Sequence, residues 1–538
     1  MLRFTLALFL FGLVTCDHSK TNQWPNRSTI VHLFEWKWKD VAEECERFLA
    51  PKGYGAVQIS PPSENLIIRN NGNRPWYERY QVMSYQLVTR SGGEEELLDM
   101  TRRCNKVGVR IYADVVINHM TGNAAAGSVG TGGSTADFDH YHYPAVPYVA
   151  DNFHTPHCDI NDYQNVSEVR KCQLVSLKDL NQSQEVVRNH IVKYLNHLIK
   201  LGVTGFRVDA SKHMDPRDLR EIYSRLDNIT DLGVGRRPYV YQEVIYYGGE
   251  PIRPDEYTPL GDVTEFRVGN ELKNVFRGHN AMKWLRNWGE EWGLSPSGTA
   301  LAFIDNHDTQ RTSDVLTYKE ARAYKAAVAF MLAHPYGTPR VMSSYHFDNH
   351  EAGPPSQNEE ILSPTIHPDG TCGNGWVCEH RWRQLYQMVG FRNAVGSAPV
   401  SHWWDNGSKQ IAFARENRAF IVFNGELGVD LNVSLKTSLP QGVYCDVISG
   451  ENKDGGCTGK TISVNKYSDA HFYVPKDAED MHIAIHVGAE NYSQYAPLRP
   501  PAMCRHRGSG IQEPALCVRQ EHHGPPVRVE VERHRCRV

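Results

Sequence analysis

Three short apolar runs in this chain each stop at a carboxylate: Gly205-Phe206-Arg207-Val208-Asp209, Tyr239-Val240-Tyr241-Gln242-Glu243 and Leu301-Ala302-Phe303-Ile304-Asp305-Asn306-His307-Asp308. Each is built of β-favouring residues, and helical or loop sequence follows it. A parallel strand covered on both faces reads as such a run, and its C-terminal end is where barrel enzymes place their chemistry. One acid at a strand end is most often a cap for the next helix. Three in succession, far apart along the chain, are hard to explain as caps. Two or more carboxylates converging on one cleft are what glycosidic bond cleavage requires. One acid protonates the leaving oxygen, and one carboxylate attacks or stabilises the sugar cation.

The runs belong to a longer alternation. Residues 31–36, 54–59 and 109–116 read as strands, and residues 40–49, 94–106 and 187–200 place apolar residues at helical spacing, the last stopped by Gly202. Further strands end at Asp209, at Glu243, near Glu265 and at Asp308. A helix over 319–333 and the strand Arg340-Val341-Met342 complete about eight units, so the expected fold is a (β/α)8 TIM barrel. Residues 119–179 are rich in Gly, Ser, Thr, Asp and Tyr and show no helical period. A stretch that long after the third strand is expected to be a functional loop or an inserted, loop-rich subdomain. From residue 395 the pattern changes to short strands, at 411–415, 419–423, 443–448 and 483–487, and predicts a C-terminal all-β domain of Greek-key type. The expected division is a barrel over 17–118 and 180–394, the insert over 119–179 and the β domain over 395–490. Beyond Arg499 the chain turns Arg- and Pro-rich, has no Lys, carries Cys504, Cys517 and Cys536, and shows no periodicity. Residues 491–538 therefore read as a disordered tail.

The 538 residues carry a net charge of only −4, which gives no reason to expect nucleic acid or an anionic membrane as partner. Arg3, the apolar run 4–14 and the patch Thr15-Cys16-Asp17 fit a secretory signal peptide over 1–16. The expected product is soluble, secreted and extracellular. Eight cysteines lie in the body of the chain, with no CxxC pair to suggest zinc, so disulfides are the expectation. Eight cysteines allow 105 connectivities, and sequence alone does not choose among them. Sequons at Asn26, Asn165, Asn181, Asn228, Asn406, Asn432 and Asn491 are glycosylation candidates.

Four blocks, Asp114-Val115-Val116-Ile117-Asn118-His119, 205–213 ending in Asp209-Ala210-Ser211-Lys212-His213, Gln242-Glu243-Val244-Ile245 and Phe303-Ile304-Asp305-Asn306-His307-Asp308, resemble the motifs of α-amylases, and most of all the secreted animal type. The resemblance spans about residues 22–490 and not the tail. It implies Asp209 as nucleophile, Glu243 as general acid and then base, and Asp308 as transition-state stabiliser in a retaining mechanism. Arg207, two residues before Asp209 on the same strand face, is placed to keep that carboxylate ionised. The resemblance also implies a structural calcium held by the side chains of Asn118 and Asp179 and the backbone carbonyls of Arg170 and His213, and an activating chloride at Arg207, Asn306 and Arg340. Implied sugar contacts are Trp76, Tyr77, Tyr80, Gln81, His119, Tyr163, Lys212, Ile245 and His307, with aromatic faces packing on glucose rings. The implied disulfides are Cys45–Cys104, Cys158–Cys172, Cys372–Cys378 and Cys445–Cys457.

Two departures stand out. Residues 309–314, Thr-Gln-Arg-Thr-Ser-Asp, lack the glycine-rich mobile loop of vertebrate members, and one vertebrate disulfide near the insert has no cysteines here. The implied activity is endo-hydrolysis of internal α-1,4-glucosidic bonds in starch, glycogen and maltooligosaccharides by a monomer. The alternatives are an exo-acting α-glucosidase and an inactive carbohydrate-binding relative. The latter class usually loses one of the three acids, and all three are present.

Overall fold

The computed structural model describes residues 18–70, 72–232 and 235–490. The expected leader, the expected tail with its three cysteines, and the sequon at Asn491 lie outside them.

Eight parallel strands close into a barrel in chain order: β1 Ile30–Leu33, β2 Ala56–Ile59, β3 Arg110–Val115, β4 Gly205–Val208, β5 Tyr239–Gln242, β6 Asp262–Glu265, β7 Ala300–Ala302 and β8 Thr338–Ser343, with β1 pairing β8 to complete the ring. Helices α1 Trp38–Glu44 and α2 Glu94–Lys106 follow the first two strands. The short α3 Val166–Lys171 lies in the insert, and α4 Glu185–Lys200 returns the chain to β4. Then come α5 Pro216–Ser224, α6 Phe266–Phe276, α7 Ala321–Ala333 and α8 Arg383–Val395, after β4, β6, β7 and β8. Behind β5 a single 3-10 turn, Pro254–Glu256, takes the helix position.

Local chemistry explains several boundaries. Asp215 caps α5 by accepting from the Arg217 amide, with Pro216 as the first helical residue, whose lost N–H would have been unpaired there anyway. Asn165 caps α3 in the same way through the amides of Ser167 and Glu168. Gly202, at φ +93°, supplies the left-handed turn that ends α4. The insert thus holds a helix where no helical period is legible, because one and a half turns are too short to show one. The third apolar run also differs from expectation: β7 ends at Ala302, and 303–308 form a loop across the barrel mouth.

Side chains alternate along a strand, so residues two apart share a face. Gly205, Arg207 and Asp209 therefore point into the barrel, as do Tyr239, Tyr241 and Glu243, while Phe206, Val208 and Val240 face the helices. The barrel floor is filled by Ile30, Ala56, Tyr112, Tyr239, Tyr241, Leu301 and Phe303. Position 205 must be glycine, because a Cβ there would lie 2.7 Å from both the Tyr112 ring and the Tyr239 carbonyl.

Beyond α8 two four-stranded antiparallel sheets form the C-terminal β domain. One runs Val400–Asp405, Gln410–Arg415, Ala419–Asn424, His482–His486 in spatial order, and the other Leu431–Lys436, Asp469–Val474, Thr461–Val464, Gly442–Cys445. They pack face to face around Phe420, Phe472, Ile485 and neighbours. Arg415 fixes this domain to the barrel by donating to the carbonyls of Ala333 and Ala398. Four disulfides join Cys45–Cys104, Cys158–Cys172, Cys372–Cys378 and Cys445–Cys457. No helix among the described residues is long and apolar enough to cross a membrane.

His482 is buried against Phe423 with neither ring nitrogen bonded, and burial pushes its pKa down to about 4 from 6.5. The unfolded chain therefore binds a proton that the folded one refuses between pH 6.5 and 4, and stability falls as pH falls through that window. His482→Leu is expected to shrink the Tm difference between pH 7 and pH 5. An unchanged difference would contradict this account of the residue.

Candidate active site

The C-terminal mouth of the barrel opens into a cavity of about 400 Å3 lined by Trp76, Tyr77, Tyr80, Gln81, His119, Asp209, Glu243, Ile245, His307 and Asp308, with Gly122, Leu174, Val175, Leu177 and Ala210. Its centre is built around one guanidinium. Arg207, 1% exposed, donates from Nη1 to Asp114 (2.8 Å) and Asp209 Oδ1 (2.7 Å), and from Nη2 to Glu243 Oε1 (2.5 Å). The other Glu243 oxygen accepts from the Ala210 amide at 2.8 Å. Three strands thus deliver three carboxylates to one cation, because Asp114, Arg207 and Tyr241 are register neighbours on β3, β4 and β5.

Burial pushes the Asp209 carboxyl well up, with the charges of Glu243 and Asp114 adding to it, and the Arg207 guanidinium pulls the other way. Asp308 is pushed up to about 7, first by its position deep in the cleft and then by the charge of Glu243, although 39% of its side chain stays open to the cavity. His307 is held well below its usual range by burial and by Arg207, so it is neutral. Its ring lies parallel to Tyr80 at 5.0 Å, and Tyr80 donates its hydroxyl to Asp114 at 3.0 Å. This stack and Trp76 form an aromatic wall beside the acids.

Most residues implied as sugar contacts meet here. Tyr163 and Lys212 do not line the cavity; they pair with each other at its rim, the ammonium 5.3 Å from the ring centre, where Lys212 also bonds the Ile245 carbonyl and Glu250. His119 lines the cavity with both ring nitrogens already engaged, Nε2 to the Tyr80 carbonyl and Nδ1 to the Asn118 amide. Sequence reasoning did not single out Leu174, Val175 and Leu177. Val175 is 81% exposed and sits at φ +43°, a left-handed conformation that a β-branched residue seldom adopts. The available signal was an apolar Leu-Val-Ser-Leu step inside a polar insert. Arg311 was also passed over. It donates to the His307 and His350 carbonyls and the Tyr345 hydroxyl, and its guanidinium lies 4.9 Å from the Trp76 ring centre. The short 309–314 segment is thereby fastened down as one side of the cleft.

Two further sets can be tested for ions. Asn118 and Asp179 lie on paired segments at the insert's base, and each keeps one buried side-chain oxygen with no hydrogen-bond partner. Arg170 is in the last turn of α3, where carbonyls have no partner within the helix. His213 ties its own loop to that turn by donating from Nδ1 to the Val169 carbonyl at 3.0 Å. Among the described residues no cluster of three His, Cys, Asp or Glu side chains could hold a metal. The donors here are amide, carboxylate and backbone oxygens, a hard set that suits a large divalent cation. The second set is cationic. Arg340 is buried with no carboxylate partner among the described residues; Nη1 donates to Gln58 at 2.7 Å and Nη2 has no acceptor. Asn306 accepts from the Asp308 and Thr309 amides and so shapes the loop that carries Asp308.

Comparison with known proteins agrees with this geometry. Residues 60–235 match the model of the alpha amylase catalytic domain, and residues 402–487 that of the alpha amylase C-terminal all-beta domain. An alpha-amylase of Tribolium castaneum is 56% identical over 471 residues, covering 86% of this chain and 95% of its own. This chain belongs to the α-amylase family of glycoside hydrolases. An alpha-amylase-related protein of Drosophila melanogaster is 52% identical, covering 90% of this chain and 99% of its own. Among solved structures, wild-type alpha-amylase I of Eisenia fetida superposes with a TM-score of 0.82 at 44% identity, over 88% of this chain and 99% of that one. A mutant of the same worm enzyme in complex with maltohexaose gives 0.83 at 43% identity, with the same coverage.

Lysine has one charged tip and cannot reach two carboxylates as a guanidinium fork does. Arg207→Lys is therefore expected to lower kcat by about 100-fold or more, since displacing a reacting group by about 1 Å costs that much. A variant that folds and keeps parental kcat would contradict the role given to Arg207.

Proposed function

We propose that this chain is a secreted, monomeric, endo-acting α-amylase that hydrolyses internal α-1,4-glucosidic bonds of starch, glycogen and maltooligosaccharides with retention of configuration. The observation that carries the reading is the pair Asp209 and Glu243, held side by side by the two ends of one guanidinium at the floor of an aromatic-walled cleft. Retaining glycosidases need their two carboxyls close, at roughly 5–5.5 Å, because one of them attacks the sugar directly. The maltohexaose complex of the worm relative supports an α-glucan as ligand.

In this mechanism Asp209 attacks the anomeric carbon. Its Oδ1 is occupied by Arg207, and Oδ2 has no hydrogen bond among the described residues. Glu243 gives its proton to the glycosidic oxygen as the bond breaks, then takes a proton from the water that opens the glycosyl ester. Its two oxygens are fixed by Arg207 and by the Ala210 amide, so the proton is delivered from a set direction. Asp308, on a loop held by Asn306 and Arg311, supplies charge beside the oxocarbenium-like transition state. Trp76 and the Tyr80–His307 stack offer apolar surface to the glucose rings.

Asn118 and Asp179 by side chain, with Arg170 and His213 by carbonyl, would hold calcium and so brace the insert against the loop after β4. Arg207, Asn306 and Arg340 would hold chloride, whose negative charge would offset the guanidiniums of this set. The buried, unpartnered Arg340 Nη2 supports that anion, as the orphaned oxygens of Asn118 and Asp179 support the cation. Four disulfides in the body of the chain support a route through an oxidising compartment.

A maltoheptaoside blocked at its non-reducing end is the direct test, because only internal cleavage releases the reporter. The parent protein is expected to cleave it. Glu243→Gln is expected to bind maltooligosaccharides and to lose hydrolysis by at least about 100-fold; turnover near the parental rate would overturn the assignment of the acid. Arg340→Gln is expected to abolish the response of the rate to chloride, and a parent enzyme equally active without chloride would refute that site.

A further inference from the structure

In the second C-terminal sheet, strand Leu431–Lys436 is an edge, paired on one side only, to Asp469–Val474. An exposed edge is a template for pairing with other chains unless something blocks it. Alternation puts Leu431 and Leu435 in the core and turns Asn432, Ser434 and Lys436 outward. The surface at the start of this strand is unusually apolar. Leu427 is 83% exposed, Val429 56%, and Tyr473, which stands directly opposite Asn432 in the register, 47%.

Asn432-Val433-Ser434 is a sequon. Six sequons fall among the described residues, and four of their asparagines are already engaged. Asn165 caps α3, Asn181 accepts from the amide and hydroxyl of Ser183, Asn228 accepts from Arg237, and Asn406 bonds Ser408, Gln410 and Glu426. The Asn432 side chain is exposed and makes no hydrogen bond among the described residues. Directly opposed residues of an antiparallel pair have their Cβ atoms about 4.5–5.5 Å apart. A group attached to Asn432 Nδ2 therefore leaves the strand alongside the Tyr473 ring. That ring is held in place, because its hydroxyl donates to Asp430 Oδ2 at 3.1 Å, two residues before Asn432 on the same face.

We propose that Asn432 carries an N-linked oligosaccharide whose first sugar packs on Tyr473 and covers the apolar, unpaired edge of this sheet. The inference rests on the export step of the proposed function, and not on its catalytic part. The donor class is an oligosaccharide linked to a polyprenyl diphosphate. The bond between the anomeric carbon and the diphosphate oxygen breaks, a bond from that carbon to Nδ2 forms, one amide proton is released, and the lipid diphosphate leaves; nothing is oxidised or reduced. The apolar face of the sugar ring meets the aromatic face, as in a carbohydrate-binding cleft.

The test uses the full chain secreted from insect cells, with starch hydrolysis assayed on the same sample. Peptide mapping before and after peptide N-glycosidase in 18O water is expected to find the Asn432 peptide glycosylated, and afterwards converted to 18O-labelled aspartate. Asn432→Gln and Ser434→Ala should each remove that increment while activity stays unchanged. Secreted, active protein with bare Asn432 overturns the proposal alone; glycosylated but inactive protein overturns the catalytic reading and leaves the proposal standing. Packing on Tyr473 has its own readout. Enzymatic removal of the glycan should lower the parent's Tm by about 2 °C and that of Tyr473→Ala by less than half as much. Equal drops would contradict the stacking.

Discussion

A guanidinium buried among three carboxylates organises this molecule. Arg207 neutralises Asp114, Asp209 and Glu243 in part only, and all four groups are shut away from bulk water at the end of the barrel. Placing charges there is costly, and removing one partner of such a set costs about 3–5 kcal/mol because the others stay buried and unmatched. The arrangement persists because closed strand pairing allows no other place for these side chains. Once β3, β4 and β5 are in register, positions 114, 207, 209 and 243 must face inward. The tension among the like charges is thus a consequence of the fold, and it falls on the groups proposed above to exchange protons and attack.

The cleft around that centre follows from the same core. Tyr80 bonds Asp114 and stacks on His307, so the aromatic wall is tied to the charge cluster. Arg311 then links His307 to Trp76 and Tyr345 and makes the short segment after Asp308 part of the wall. A longer, glycine-rich segment at this point would have freedom that Arg311 removes here. The binding surface is accordingly preorganised on this side, and bound sugars need not order a loop to meet it.

Much of this was legible in the sequence because period-two alternation is a strong signal in buried parallel strands. The runs ending at Asp209 and Glu243 are strands whose next inward position, one residue past the strand end, is the acid. The run ending at Asp308 misled, since Phe303 and Ile304 are buried from a loop, in two different core clusters, and periodicity cannot separate that from a strand. Arg207 was legible as a neighbour of Asp209, whereas its bond to Asp114 joins residues 93 positions apart and depends on strand register. Val175 was not legible because its exposure follows from a local left-handed turn, and Arg311 because its guanidinium partners Tyr345, His350 and Trp76 lie far away in the sequence. The rim pairing of Tyr163 with Lys212 likewise depends on how the insert settles against the loop after β5.

The central claim is that Asp209 and Glu243 sit close enough for direct attack on the sugar. The stereochemistry of the first product tests it most directly. Proton NMR of a maltooligosaccharide digest, followed from the first minutes before mutarotation intervenes, reads the configuration at the newly formed reducing end. The account predicts the α-anomer first, with the β-anomer growing in only as mutarotation proceeds. Initial appearance of the β-anomer would mean a single displacement by water across a wider gap between the two acids, and would contradict the arrangement around Arg207.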